Sequence, residues 1–284
     1  MIKIFLVLSL AMVVSTASMG QSKGSITLSK GQKYTVETTI TTTSSSDMQG
    51  QKMETNSDVS TTFTIEVLGF KEDHYNLSNT MSAIKINISA MGQNINFDSD
   101  KKEDLEGDIG ASLKGLIHVP HDVQMDRTGN LISNASDTVK QDSSNTQMNV
   151  MLKQIGDPEQ TGYGTKMAFL PVNKKTKPGT NWQDSTSEDG VTRLTNYTVK
   201  QIDGSIAVIL ISGTEYRDTK MEMQGMEILT KTVGKFNGEQ TIDLNTGVVV
   251  QNNSTMDAAG NLSVMGQDIP TSIKATTTTT VKHM

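Results

Sequence analysis

Apolar and polar residues alternate one by one along most of the chain. In 34–40 (YTVETTI), Tyr34, Val36 and Ile40 are separated by threonine and glutamate, and 58–67 (DVSTTFTIEV) repeats the pattern. Successive side chains of a β-strand point to opposite faces, so a period of two indicates strands that are buried on one face only. The alternation and the abundance of threonine and β-branched residues therefore predict half-buried antiparallel strands.

Two other segments predict strands of a different kind. The segment 205–212 (SIAVILIS) is almost continuously apolar, which predicts a central strand that is buried on both faces. The segment 272–281 (SIKATTTTTV) predicts a last strand near the C-terminus, and its threonines are also compatible with an exposed edge of the sheet.

Turn-forming residues separate the predicted strands. The segments 125–131 (MDRTGNL) and 256–262 (MDAAGNL) share an aspartate that can open a turn and a glycine that can adopt a positive φ angle. A calcium loop would need a longer series of carboxylates than either segment has. Each segment therefore predicts a short hairpin turn.

Helical spacing of apolar residues interrupts the strands twice. In 143–156, apolar residues recur at intervals of three and four, and a glycine ends the segment. In 103–117, Gly107 and Gly110 weaken the same spacing. The pattern predicts one helix over 143–156 and a weaker one over 103–117.

The N-terminus predicts a signal peptide. Lys3 precedes a short apolar run at 4–14, and small residues suit cleavage after Gly20, or alternatively after Ala17. The run is shorter than the about 20 apolar residues of a membrane-spanning helix. We therefore expect a signal peptide at 1–20 and a soluble, exported protein, periplasmic or secreted, with no membrane span once the peptide is removed.

The mature chain carries two similar halves. A Gly-x-x-aromatic motif occurs at 31–34 and 179–182, and an aromatic-Thr-aliphatic motif follows at 63–65 and 197–199. We interpret this as an internal duplication. The predicted organisation is a first β unit at 21–137, a helix and connector at 138–178, and a second β unit at 179–284, and the two units could also form one compact domain.

Composition excludes several classes of protein. The chain has no cysteine, so it forms no disulfide and carries no lipid on a cysteine. Its net charge of −6 and the lack of a basic patch interleaved with aromatics argue against nucleic-acid binding. Aromatic residues make up only 4% of the chain, so the core must consist mainly of Ile, Val, Leu and Met.

No catalytic or metal-binding motif is evident. His118 and His121 would point to opposite faces of a strand, and Pro120 disfavours the helix that could bring them together. The acidic run at 98–108 is typical of a solvated helix start rather than of a catalytic carboxylate pair. We therefore expect a protein that is not an enzyme and has no cofactor.

Methionines cluster at two predicted hairpins. A turn at 224–225 would place three methionines and an isoleucine on one face, and a turn at 49–50 would do the same for two methionines. The candidate ligand-binding residues are therefore Met221, Met223, Met226, Ile228, Met48 and Met53.

Three interpretations of these methionines remain open. They can be ordinary hairpin packing, an adaptable surface for an apolar ligand, or a site for a soft metal such as copper(I), which accepts thioether ligands. No histidine assists a metal here, and Ile228 occupies the same face.

Four motifs carry a family resemblance: KGQKYTVETT at 30–39, PGTNW at 178–182, TNYTV at 195–199 and DLNTG at 243–247. Together with the N-terminus, they resemble an uncharacterised family of exported proteins of Gram-negative bacteria, a domain of unknown function. The resemblance implies a β-rich envelope protein and assigns no functional residue. The overall pattern is also similar to the open half-barrels of lipoprotein carriers, which wrap a sheet around a helix and hold acyl chains.

These observations predict a mainly β fold, an antiparallel open or half-barrel sheet with one or two short helices. The leading functional hypothesis is a non-enzymatic envelope protein that binds an apolar small molecule or lipid. The alternative is a structural or interaction module whose sheet edges meet a partner protein of the cell envelope. Binding of copper through methionines is a third, more remote hypothesis.

Overall fold

A computed structural model describes residues 24–48, 50–90, 92–132, 162–188, 190–223, 226–264 and 266–284. In these ranges twelve strands form one sheet, and every pairing between them is antiparallel. The strands are β1 (Lys33–Met48), β2 (Gln51–Lys71), β3 (His74–Ala90), β4 (Gln93–Asp98), β5 (Pro120–Asp126), β6 (Leu131–Ile132), β7 (Asn181–Glu188), β8 (Val191–Asp203), β9 (Ile206–Met223), β10 (Met226–Asp243), β11 (Val248–Val264) and β12 (Gln267–His283). The described helices are α1 (Lys102–Leu105), α2 (Asp108–Leu113) and α3 (Tyr163–Ala168).

The order of the strands joins the two ends of the chain. The sheet runs β6-β5-β3-β2-β1-β12-β11-β10-β9-β8-β7, with β4 beside β3. The C-terminal strand β12 pairs with β1 from Tyr34 opposite His283 to Ser46 opposite Thr271, so it lies inside the sheet. The predicted last strand is confirmed, and the alternative that it forms an exposed edge of the sheet is wrong. The mainly β, antiparallel open sheet with few short helices is likewise confirmed.

One face of the sheet, here called the inner face, carries the buried side chains. A first core cluster lies on β1, β2, β3 and β5 and includes Val36, Phe63 and Leu77, with Leu113 of α2 and Ala168 of α3. A second cluster lies on β8–β11. The opposite, outer face is mainly polar, as the alternation predicts.

The second cluster shows that 205–212 is buried on one face only. Ala207, Ile209 and Ile211 are buried, whereas Leu210 on the outer face is 41% exposed. The prediction of burial on both faces is therefore wrong. The apolar run does not indicate a second layer packed on the outer face here, because nothing in the described residues packs over Leu210 closely enough to bury it.

The first hairpin of each half has the same geometry. The N–H of Gly31 donates to the carbonyl of Val67, and that of Gly179 to the carbonyl of Val199, both at 2.8 Å. A register shift follows each valine. Val67 therefore corresponds to Val199, and the predicted match of 63–65 with 197–199 is wrong by two residues. The division of the chain into units at 21–137, 138–178 and 179–284 stays a prediction.

The turn predicted at 125–131 is confirmed. The Asp126 carboxylate accepts hydrogen bonds from the backbone N–H and hydroxyl of Thr128 at 2.7 and 2.8 Å. It also accepts from the backbone and side-chain amides of Asn130 at 2.9 and 3.0 Å, and Gly129 has a φ of 81°. Burial would raise the pKa of Asp126, but these hydrogen bonds outweigh it and lower the pKa.

The turn predicted at 256–262 is wrong. The strand β11 continues through this segment, with Met256, Ala258 and Gly260 on the inner face. Asp257 points outwards and pairs with Lys274 on β12 at 3.9 Å instead of opening a turn. The small residues serve the close approach of β10, as the next subsection describes.

Of the two predicted helices, the weaker one forms, but as two short helices instead of one. Over 103–117 the chain makes α1 and α2, separated at Gly107, which is extended rather than helical. The helix predicted over 143–156 lies outside the described residues. The segment after it contributes α3 and the buried residues Phe169 and Val172, so this connector is part of the core.

Replacing Asp126 by alanine is expected to lower the free energy of unfolding by about 1–3 kcal/mol at neutral pH, because hydrogen bonds to a charged acceptor are lost. Since the pKa is lowered in the folded state, this stabilisation is complete above the ordinary carboxyl pKa and is lost as the pH falls through the folded value. Urea unfolding of both proteins at several pH values measures the difference. Asp122→Ala, an exposed position on the same strand, is the control. A difference that persists unchanged in acid would contradict the assignment.

Candidate ligand-binding face

The charges of the central strands lie on one face. In the described residues of β10, β11, β12 and β1, the inner face carries no Asp, Glu, Lys or Arg. The charged residues of these strands all lie on the outer face, where some pair across strands, such as Lys282 with Glu37 at 3.1 Å. Over the described residues, the inner face of these four neighbouring strands therefore carries none of these charges.

This uncharged surface extends beyond the two core clusters, towards the hairpin tips. Phe236 and Ala258 are buried but belong to neither cluster. Around them lie half-buried apolar residues of the same face. We call this surface the apolar face; it consists of Ile40, Phe236, Met256, Ala258, Leu262, Ile273 and Ala275.

Two glycines let β10 and β11 approach each other closely at the apolar face. A Cβ atom at Gly260 would overlap the carbonyl oxygen of Lys231, and one at Gly238 would overlap that of Asn253. Both overlaps are with the neighbouring strand of the β10–β11 pair, and they would fall on the inner side. Only glycine permits this close approach of the two strands beside the apolar face.

The register of the methionine hairpin agrees with a turn at 224–225. Met223 lies opposite Met226, and Met221 lies opposite Ile228, whose side chain is buried. In the other hairpin Met53, opposite Ser46, is half-buried. The two hairpins are separated by β11 and β12, so the candidate residues do not form one cluster.

Most of the methionine side chains stay untested. The residues 224–225 and the side chains of Met48, Met221, Met223 and Met226 lie outside the described part of the structure. A ligand-binding role for the six candidate residues, and the alternative of a soft-metal site, therefore remain predictions.

A charged cluster that the sequence analysis missed borders the apolar face on β8 and β9. The Glu215 carboxylate forms ion pairs with Arg217 at 3.1 Å and with Arg193 at 3.7 Å. The Arg193 guanidinium also lies 4.2 Å from the centre of the Phe236 ring. Burial raises the pKa of Tyr163 to about 12, although the positive charge of Arg193 acts in the opposite direction. Counting alternate positions along β9 would have placed Glu215 and Arg217 on the inner face.

The structure also shows the surroundings of the two histidines and of the acidic run. His118 is exposed before β5, whereas His121 is half-buried within it. In the acidic run, Lys85 pairs with Asp98 at 3.2 Å and with Asp100 at 2.9 Å. Among the described residues, no three His, Asp or Glu side chains converge as a metal site requires.

The fold and this face define an open antiparallel β-sheet protein whose inner face, over the described residues of β10, β11, β12 and β1, carries no Asp, Glu, Lys or Arg. A family model described as a family of unknown function, DUF6263, matches residues 72–249. This is more than half of the chain, and the chain belongs to that family. Three of the four motifs that carry the resemblance lie in the matched range, and the motif at 30–39 lies outside it.

Comparison with other proteins gives only distant similarities. No curated protein matches the sequence. A structure of lipid–protein interactions in lipovitellin aligns over 90% of this chain at 11% identity, with a TM-score of 0.46, and the chain spans 25% of the lipovitellin chain. An outer membrane channel from Pseudomonas putida F1 aligns over 90% of this chain and 97% of its own at 9% identity, with a TM-score of 0.27. At these TM-scores neither similarity supports an argument about function.

The described helices are all short. None of them has the length and apolar character that crossing a membrane requires.

Proposed function

We propose that this protein is an exported, non-enzymatic protein of the cell envelope that binds an apolar or lipid-like ligand on the apolar face. The observation that carries the proposal is the uncharged inner face of β10, β11, β12 and β1, which continues past the core with half-buried apolar side chains. Export rests on the N-terminal sequence pattern.

The chemistry of this face suits a hydrocarbon ligand. Removal of apolar surface from water contributes about 25 cal/mol per Å², and the half-buried side chains of the apolar face still expose such surface. Glycine, alanine and serine occupy many positions between the larger side chains of this face. Met53 and Ile228 extend the face towards the tips, where we expect Met48, Met221, Met223 and Met226 to contribute.

Trp182 provides a direct test of this proposal. It is the only tryptophan, and it stacks on Tyr197 at 5.0 Å beside the second core cluster. Titration with pyrene, an uncharged hydrocarbon, is expected to give saturable energy transfer from Trp182 that disappears when the protein is unfolded in urea. No transfer, or transfer that rises linearly without saturation, would contradict ligand binding.

The soft-metal alternative needs its own experiment. Under the proposed function, titration with silver(I) is expected to show no tight binding, and the triple variant Met221→Leu, Met223→Leu, Met226→Leu should behave like the wild type. Leucine keeps the volume and apolar character while removing the sulfur. Tight silver binding that the triple variant loses would favour the metal instead.

A protein-interaction module is the second candidate function. Tyr216 and Val233 lie opposite each other on the outer face and are 53% and 50% exposed. If this pair docks on another envelope protein, the double variant Tyr216→Ser, Val233→Ser loses that association while pyrene binding is unchanged. Under the leading proposal, inner-face variants lose pyrene and this double variant does not.

A further inference from the structure

A row of polar side chains crosses the inner face where the apolar face meets the core. We call it the polar row; from β10 to β2 it consists of Gln240, Asn252, Thr279, Thr38 and Thr61, each opposite the next in the strand register. The threonines and Asn252 are all buried, with Asn252 7% and Thr279 0% exposed. Polar groups in such a position are costly unless they are hydrogen-bonded.

The polar row is only partly satisfied within the protein. The hydroxyls of Thr38 and Thr279 are 3.2 Å apart and hydrogen-bond to each other. Among the described residues, the buried side-chain oxygens of Gln240 and Asn252 have no hydrogen-bond partner. Because these two residues lie directly opposite each other on β10 and β11, their side chains start about 5 Å apart. The row thus holds two neighbouring acceptors that lack a donor.

The polar row is next to the half-buried part of the inner face. One step towards the hairpin tips, Ile40, Thr277, Ser254 and Gly238 occupy the same strands and are all half-buried. Gly238 has no side chain that could cover Gln240 from this side. A ligand that lies along the apolar face therefore ends beside the two unpaired oxygens.

We propose that the polar row binds the uncharged, hydroxyl- or amide-bearing head of the ligand, while its hydrocarbon part lies on the apolar face. This inference rests on the proposed function and names the ligand class as a neutral amphiphile. A hydroxyl or an amide N–H supplies the donor that the oxygens of Gln240 and Asn252 lack.

An ionised head group does not fit the polar row. A carboxylate or a phosphate diester brings a negative charge and no donor, and no Lys or Arg lies in the row to compensate it. The arginines of the inner face, Arg193 and Arg217, lie on β8 and β9 and already share Glu215. Long-chain alcohols and monoacylglycerols are therefore preferred over fatty-acid anions of the same chain length.

The test compares two ligands and two variants by displacement of pyrene. The wild-type protein is expected to bind monooleoylglycerol at least about tenfold more tightly than oleate. The double variant Gln240→Met, Asn252→Leu removes both acceptors at similar volume. It should lose at least about tenfold in monooleoylglycerol affinity while its pyrene affinity and its thermal midpoint are not reduced. Asn253→Leu, the next residue on the outer face, is the matched control and should leave every affinity unchanged.

Each other outcome overturns the inference in a recognisable way. Equal monooleoylglycerol affinity in the wild type and the double variant would mean that the polar row holds only water. Tighter binding of oleate than of monooleoylglycerol by the wild type would assign a charged head group, and this comparison holds even if the double variant does not fold. Failure of the wild type to bind pyrene at all would overturn the proposed function and the head-group site together.

Discussion

Replacing Gly260 by valine is expected to lower the free energy of unfolding by about 3 kcal/mol or more, which is at the upper end for overpacking. The new Cβ would overlap the carbonyl of Lys231 on β10, and backbone atoms cannot rotate away as a flexible side chain can. The two strands would have to separate at this position. Urea unfolding monitored by circular dichroism measures the loss.

Gly69→Val is the matched control for this substitution. Gly69 is also a strand glycine, but a Cβ there meets nothing within 4 Å and the φ angle is not positive. Valine is favoured in strands, so this variant should be as stable as the wild type or slightly more so. Equal stability of the two valine variants would show that β10 and β11 do not approach each other closely at Gly260.

Replacing Met256 by aspartate is expected to abolish pyrene binding. Met256 is half-buried near the middle of the apolar face, beside Phe236 on the neighbouring strand. A carboxylate there has no cationic partner among the inner-face residues of β10, β11, β12 and β1, and a hydrocarbon ligand would have to desolvate it. We also expect a loss of about 1–3 kcal/mol in stability, a common range for buried polar substitutions. Pyrene titration and urea unfolding measure the two effects.

Thr255→Asp is the control that distinguishes an effect of the negative charge itself from an effect of its position on the inner face. Thr255 is the preceding residue of β11 and is exposed on the outer face. Aspartate there should change stability by no more than about 0.5 kcal/mol and leave pyrene binding intact. If Met256→Asp binds pyrene as well as Thr255→Asp does, the apolar face is not the ligand site.

The sequence predicts which face a residue occupies better than it predicts what covers that face. Alternation correctly assigns Val36 to the buried face and Thr35 to the other, because the side-chain period of a strand is two. It fails for 205–212, where Leu210 is apolar and exposed. Hydrophobicity alone does not tell whether a second layer packs on a strand.

Glycine has two structural roles that a local sequence pattern does not distinguish. At 125–131 it takes the positive φ angle of a turn, whereas Gly260, in nearly the same motif, lies within a strand and makes room for the strand beside it. The difference depends on β10, a distant part of the sequence. The same limit explains why the turn prediction at 256–262 failed.

The candidate site depends on strand order, which a local reading of the sequence does not supply. The uncharged face is visible strand by strand, but it becomes one surface only because β12 pairs with β1. The polar row likewise needs the register that puts Gln240 opposite Asn252. The methionine hairpins were the strongest local signal, and of their six candidate residues the structure describes the side chains of Met53 and Ile228 only.

Photolabelling can show which face of the sheet the ligand occupies, because neighbouring residues of one strand face opposite sides of the sheet. The protein would be irradiated with a long-chain alcohol carrying a diazirine, and the labelled residues located by tandem mass spectrometry. We expect labels at Met256, Leu262 and Ile273 that an excess of unlabelled monooleoylglycerol removes. Equal labelling of their outer-face neighbours Thr255, Asn261 and Lys274, or labels that the competitor does not remove, would contradict this expectation.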